Sequence, residues 1–354
     1  MISWRHILIP FSWLFGCMVI LRNNLYNLHI FPTRTYKNSL IGIGNIRIGG
    51  TGKSPFTEYL IRILKNNYSL ATLSRGYGRK TKGFLLVIKP DVDLYGDEPS
   101  QFKTKFPEIT VAVSESRIEA LNELTKNHQV IILDDSFQHR RVNAGQYWVL
   151  LENEDLLKPI FLLPAGNYRE GLTALSRAQN ILITKCPNWP EADRVVEIRK
   201  KLKLSICQSL FFSQIKYMAP KRIFFSEDNF LFESVTNLEN LEFILVFTGI
   251  SNNNALKQYL SNFSAQKYYF EFPDHYQFSI DDLKKISNKY ESLNFTKMII
   301  LTTEKDAQRL KKQSYENFIR KYPVYFLPIE FIMQPKQADL LQEIIETYIE
   351  SNLH

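Results

Sequence analysis

The sequence predicts an α/β protein with a mainly parallel sheet flanked by helices, a second and smaller α/β domain, and an N-terminal membrane-associated helix. Three observations carry this. An apolar strand, Leu40 to Gly44, runs through a glycine-rich loop into a stretch of helical periodicity. A second apolar strand, Val130 to Leu133, ends on Asp134-Asp135. Apolar strands then alternate with helical stretches almost to the C-terminus, the order in which parallel sheets are built. The 354 residues suffice for two domains, expected as residues 31–215 and 216–354, after an N-terminal helix within residues 1–30.

Composition bounds the function. With 45% hydrophobic and 23% charged residues and no repeat, the chain is globular rather than disordered or fibrous. Its net charge of +8 suits an anionic partner, but the basic residues are scattered and no nucleic-acid module is visible, so nucleic acid is not expected as a partner. Cys17, Cys186 and Cys207 lie too far apart for a metal knuckle or a disulfide framework, which points to a reducing compartment.

The first element is the stretch Ile7 to Leu21, which carries no charge and is bracketed by Arg5 and Arg22. As a helix it would reach roughly 22 Å, short of the roughly 30 Å hydrocarbon core. No small-residue cleavage site follows Leu21, which argues against a signal peptide. Two readings stand, a buried core helix and a helix lodged in one leaflet with Trp4 and Trp13 at headgroup level and the arginines meeting anionic lipid.

The second element is a phosphate-binding loop. Phe56, Tyr59, Leu60, Ile63 and Leu64 mark one buried helix face, and Gly49-Gly50-Thr51-Gly52-Lys53-Ser54 lies between it and the strand. Glycines let successive N–H groups surround phosphate oxygens, and the helix start adds its positive dipole end. ATP is expected along Arg47, Ile48, Gly49, Gly50, Thr51, Gly52, Lys53 and Ser54, with Lys53 neutralising the β- and γ-phosphates and Ser54 ligating Mg²⁺. The general pattern GxxxxGK(S/T) asks for glycine where this chain has Arg47. Asp134 and Asp135, at the end of a neighbouring strand, are expected to hold the metal or its water. Guanine selection needs (N/T)KxD, and Thr184-Lys185-Cys186 is followed by Pro187, so a GTPase is disfavoured. A membrane-bound P-loop ATPase that switches a protein partner remains the alternative to an enzyme with its own acceptor.

Further along come SRGYGRK (from Ser74), GDEP (from Gly96), LDDSFQHR (from Leu133), LLPAGNYRE (from Leu162), FTGI (from Phe247), FPDHYQF (from Phe272) and TTEKDAQRL (from Thr302). With GGTGKSP, and in this order, they resemble the tetraacyldisaccharide 4'-kinase family of lipid A synthesis. The resemblance implies transfer of the ATP γ-phosphate, with Mg²⁺, to the 4'-hydroxyl of a tetraacylated glucosamine disaccharide 1-phosphate. It implies a monotopic enzyme on the cytoplasmic face of a Gram-negative inner membrane, with a lipid disaccharide as substrate and no obligate protein partner. It also implies a larger P-loop domain and a smaller one joined through a β linker. Ser54 stands where the family usually has threonine, Ser136 where it has glycine, and Asn167-Tyr168 replaces a more typical pair, while Arg47 agrees with the family.

By the same resemblance Asp97 accepts the hydroxyl proton, Glu98 lies near Mg²⁺, and His275 holds and tunes Asp97. Asp97 and Glu98, between Gly96 and Pro99, are expected in a loop that both flanking residues help fix. The residues themselves suggest that Arg169 clamps a phosphate with Glu170 orienting it. Arg75, Tyr77 and Arg79, in a glycine-interrupted basic loop, and Arg117, after the strand Thr110 to Val113, are the remaining candidates for phosphate or substrate contact. Beyond Lys216 the strands Leu241 to Thr248 and Lys297 to Thr303 and the helices Asp281 to Asn288 and Gln337 to Ile349 are expected to build the smaller domain, without a second P-loop.

Overall fold

The computed structural model describes residues 4–226, 229–234, 237–250, 252–311 and 313–353. Its larger sheet is formed by β1 (Ser39–Asn45), β2 (Leu70–Ser74), β3 (Leu85–Leu86), β4 (Thr110–Val113), β5 (Val130–Leu133), β6 (Gln146–Glu152), β7 (Asn180–Thr184) and β8 (Ser209–Phe212). Their spatial order is β3-β4-β2-β5-β1-β6-β7-β8, parallel throughout except for the β3 edge strand. Every residue of β1 is buried, as a strand covered on both faces requires. The register pairs Gly42 with Leu133 of β5, so Asp134-Asp135 leaves β5 alongside the last residues of β1, which run on beside β6 into the glycine-rich loop.

The smaller sheet contains β10 (Lys221–Ser226), β11 (Asn229–Ser234), β12 (Phe243–Thr248), β13 (Gln266–Glu271), β14 (Met298–Thr303) and β15 (Val324–Leu327), in the order β11-β10-β15-β14-β12-β13. β13, β12, β14 and β15 are parallel, and β10 and β11 add an antiparallel hairpin at one edge. Between the sheets the chain leaves along β9 (Gln214–Tyr217) and returns along β16 (Ile329–Ile332), and these two strands pair antiparallel. Phe331 of the returning strand packs on Phe56 and Tyr59 with ring centroids 5.4 and 5.1 Å apart, which fixes the ribbon to the P-loop helix.

Helices cover both faces. α1 (Ile9–Asn27), α2 (Lys53–Leu64), α3 (Val92–Tyr95), α4 (Asp97–Lys105), α5 (Arg117–Leu124) and α6 (Ala192–Leu202) belong to the larger unit. α7 (Asn254–Leu260), α8 (Ile280–Glu291), α9 (Glu304–Arg309) and α10 (Glu316–Lys321) belong to the smaller one. The last helix, α11 (Pro335–Leu353), was expected to close the smaller domain, but it does not. Its buried residues Leu341, Ile345 and Ile349 join the core of the larger sheet, and the Tyr348 hydroxyl bonds to the Leu40 and Ala144 carbonyls at 3.1 and 3.0 Å. Its apolar stripe marks a buried face, but only the return along β16 decides which sheet receives it.

α1 is not a core helix. Phe11, Trp13, Leu14, Met18, Ile20 and Leu21 are all more than half exposed, as is Ile7 in the turn before it. Contact with the body runs through the small face, where Ser12 is buried and a side chain at Gly16 would meet Leu162. Ser12 donates to the Leu162 carbonyl at 3.0 Å and accepts from the Ala165 N–H at 2.9 Å. Among the described residues no helix is long and apolar enough to cross a membrane.

Ile345→Ala should destabilise the larger unit by about 2–5 kcal/mol through the cavity it leaves. The measurement is the urea midpoint of the unfolding transition that bound nucleotide shifts, and an unmoved midpoint would return α11 to the smaller domain.

Candidate active site

The loop between β1 and α2 is held by its neighbours as well as by its own turn, in which the Thr51 N–H donates to the Gly49 carbonyl at 3.0 Å. Gly52 takes φ +86°, a left-handed conformation that suits glycine, and turns the chain into α2 at Lys53. The Asn45 amide donates to the Thr51 hydroxyl at 2.9 Å, and Thr184 at the end of β7 donates to the Thr51 carbonyl at 2.8 Å. Lys185 reaches the Gly50 carbonyl at 2.6 Å and also pairs with Glu152. Arg47 pairs with Glu152 and Asp155, which together outweigh the cost of burying its guanidinium and raise its pKa. Its side chain is therefore a brace under the loop, and only its backbone can serve a phosphate.

Lys53 and the aspartates meet as the register demands, with Lys53 Nζ 3.4 Å from Asp135 Oδ1. Asp135 adopts φ +45° and also pairs with Arg169 at 3.3 Å, so burial, which would raise its pKa, is overcome by Lys53 and Arg169. Asp134 is treated differently. Its Oδ1 is buried without a hydrogen-bond partner, and burial pushes its carboxyl up to about 6 despite Lys53 nearby. Arg117, whose own pKa burial lowers, donates to the Asp134 and Asp135 carbonyls at 2.6 and 3.0 Å. It clamps the backbone beneath the acids and is itself buried.

Asp97 and Glu98 were expected in a loop and are instead the first two residues of α4, where the helix dipole favours carboxylates. Gly96 makes this possible with φ +93°, in a place where a side chain would lie 2.8 Å from the Tyr77 carbonyl oxygen. From the smaller unit, His275 brings Nδ1 to 3.0 Å from Asp97 Oδ2. Arg309 donates to the same oxygen through Nε at 3.1 Å and Nη2 at 2.5 Å. Burial works against ionisation of Asp97, but these bonds prevail and hold its carboxyl well below the usual range. Glu98 is lowered likewise, burial being overcome by Lys305 at 2.5 Å.

The sequence profile of the family described as tetraacyldisaccharide-1-P 4'-kinase matches residues 4–347. The chain belongs to this family. A tetraacyldisaccharide 4'-kinase of Flavobacterium johnsoniae is 38% identical over 99% of this chain and 98% of its own length. The one from Phocaeicola vulgatus is 38% identical over 98% and 95%. The crystal structure of an LpxK from Aquifex aeolicus in complex with ATP superposes with a TM-score of 0.72 at 27% identity, covering 98% of this chain and all of that one. The protein is thus a kinase of lipid A biosynthesis, built on an α/β P-loop fold.

In this 4'-kinase several expected contacts are redistributed. Arg169 and Glu170 do not form a pair, since Arg169 turns to Asp135 and Gln138 while buried Glu170 takes Arg177 at 2.6 Å and Asn23 of α1 at 2.9 Å. Arg79 is also committed, to Glu115 and the Gly83 carbonyl, both at 2.7 Å, with its side chain 2% exposed. Tyr77 stays 68% exposed with its ring 5.0 Å from the His275 ring, and Arg75 is exposed. Lys305, Asp306 and Arg309 carried no expected role, although the cation spacing of four in TTEKDAQRL, one helical turn, was a readable signal.

Asp134 binds its proton more tightly when folded than unfolded, so stability is lost as pH rises from the ordinary value near 3.8 through about 6. Asp134→Asn should therefore raise the Tm of the nucleotide-free enzyme by a few degrees above that window and hardly below it, while kcat falls roughly 10²-fold or more. Paired melting curves at low and neutral pH read the first effect. Lys53→Ala should leave the fold intact and nearly abolish phosphoryl transfer, and a folded variant with parental turnover would remove this loop from the chemistry.

Proposed function

We propose that the enzyme transfers the γ-phosphate of ATP to the 4'-hydroxyl of a tetraacylated glucosamine disaccharide 1-phosphate, giving the 1,4'-bisphosphorylated lipid. The reading is carried by one observation, the 3.0 Å approach of His275 to Asp97, which joins a residue of each unit next to Glu98, whose charge acts on Asp134. ATP lies along residues 47–54, its phosphates against the loop N–H groups and Lys53.

Mg²⁺ fits the donor set. Asp134 presents a buried oxygen with no partner, Asp135 lies beside it, and the Ser54 hydroxyl stands in the first turn of α2. Among the described residues no three His, Cys, Asp or Glu side chains form a cage, and Mg²⁺ suits one or two carboxylates completed by phosphate oxygens. When bound it would neutralise charge on the transferring group. Glu98 is offset toward Lys305, so it serves this site through charge rather than as a first choice of ligand.

The hydroxyl oxygen forms a bond to the γ-phosphorus as the bond to the bridging oxygen of ADP breaks, and the hydroxyl proton leaves to the Asp97–His275 pair. An ionised Asp97 can only accept hydrogen bonds, so His275 carries its proton on Nδ1 and offers Nε2 as the acceptor. Asp97, held ionised, is a weak base, so the roles that the resemblance implies are exchanged in this reading: the imidazole takes the proton and Asp97 orients it. Of the residues assigned to substrate, Arg169, Tyr77 and Arg75 remain available, whereas Arg79, Arg117 and Glu170 shape the walls.

The exposed apolar face of α1 lodges in one leaflet on the cytoplasmic side of the inner membrane, bringing the cleft to the lipid. Replacing Phe11, Leu14 and Met18 by Gln should abolish sedimentation with vesicles and raise the KM for lipid more than the KM for ATP. An unchanged vesicle-bound fraction would place the anchor elsewhere.

Incubation with labelled ATP, Mg²⁺ and the monophosphorylated tetraacyl disaccharide in detergent, followed by mass analysis of the lipid, tests the reaction. ATP hydrolysis without a lipid product would return the switch reading. Asp97→Ala and His275→Ala should each lower kcat by roughly 10²–10⁴-fold with ATP affinity little changed. The double variant should lose much less than the product of the two, whereas multiplied losses would separate the residues into independent roles.

A further inference from the structure

Arg309 lies in the smaller unit and is fully buried, with all three guanidinium nitrogens engaged. Nε and Nη2 grip Asp97 Oδ2 at 3.1 and 2.5 Å. Nη1 donates to the Gly249 carbonyl at 2.9 Å and to Asp306 Oδ1 at 2.6 Å. The same Gly249 carbonyl accepts the His275 N–H at 3.1 Å. One planar group therefore touches the Asp97 carboxylate and the peptide on which His275 is seated. His275 itself sits at φ +58°, a conformation uncommon for a side-chain-bearing residue and sustained only by its surroundings.

Asp306 completes the frame without touching either member of the pair. Its Oδ2 accepts the Gly249 N–H at 3.0 Å and the Thr303 hydroxyl at 2.6 Å, while Oδ1 faces Arg309. Thr303 caps α9 by accepting the Asp306 N–H at 3.2 Å, so the helix start and the guanidinium are fixed together. Lys305, one turn before Arg309, takes Glu98 in the same way that Arg309 takes Asp97. Both cations of α9 thus engage the two acids that open α4.

The geometry points to Arg309 as a positioning residue that sets the distance and angle between Asp97 and His275, with Asp306 holding it in place. This rests on the reading of Asp97 and His275 as the pair that takes the hydroxyl proton. A lysine could supply the charge but not the fork that reaches Asp97 and the Gly249 carbonyl from two edges. Displacement of a reacting group by about 1 Å can cost on the order of 10²-fold in rate.

The test compares Arg309→Lys with the parent, and Asp97→Ala with the double variant, using ATP, Mg²⁺ and the lipid acceptor. Arg309→Lys should lower kcat roughly 10–10²-fold while the KM for ATP stays within about 2-fold. In the Asp97→Ala background the same substitution should change kcat by less than about 2-fold, because the residue it positions is gone. If Arg309→Lys does not fold, Asp306→Asn carries the same comparison, since it loosens the guanidinium without contacting the pair. Parental kcat in the folded variant, a raised KM for ATP with kcat unchanged, or a full further loss in the Asp97→Ala background would each overturn the positioning role alone. Parental kcat in Asp97→Ala itself would overturn the pair, and the role of Arg309 with it.

Discussion

Parallel pairing of β1 with β5 is the constraint on which the site depends. Because Gly42 lies beside Leu133, Asp134-Asp135 leaves β5 alongside the last residues of β1, which run on beside β6 into the glycine-rich loop. A shift of one residue would turn β1's side chains to opposite faces and lift the aspartates away from Lys53. Neighbouring strands β6 and β7 end at the same edge and supply Glu152, Thr184 and Lys185, which brace the loop from below. Backbone geometry at the ends of four strands thus does most of the positioning.

Two buried acids at this edge are handled in opposite ways, and the contrast separates their roles. Asp97 has a guanidinium and an imidazole on one oxygen, so the cost of burying its charge, several kcal/mol if uncompensated, is offset by partners in the protein. Asp134 has no such partner on Oδ1 and stays strained toward protonation. The first arrangement is complete as it stands and fixes a geometry. The second is incomplete and favours arrival of a cation, which binding of the metal and the nucleotide phosphates together would provide.

The N-terminal helix is docked on loops that also carry the site. Its small face docks through Ser12 and Gly16, and Asn23 and Arg22 extend the contact to Glu170 and the Gln138 carbonyl. The large apolar side chains point away from the body, where exposure in water is unfavourable at about 25 cal/mol per Å². The segments that receive α1, residues 138–140 and 162–170, also carry Gln138 and Arg169 toward Asp135, so the contact with the apolar helix and the contact with the acids share the same loops.

Local pattern alone determined the P-loop, the strand ending in paired aspartates, the alternation that makes a parallel sheet, and the uncharged first helix. These depend on steric and solvation rules that act within about a dozen residues, so they survive without knowledge of distant contacts. The GDEP segment was misplaced in a loop because a helix that starts on glycine has no capping side chain to announce it. Tertiary structure decided the rest. Only the return along β16 delivers α11 to the larger sheet, and only the juxtaposition of α4 with α9 turns Arg309 from one more basic residue into the partner of Asp97. Burial and pairing of charges are set by neighbours more than two hundred positions away, as with Asp97 and Arg309, and no periodicity in the chain encodes which neighbours those are.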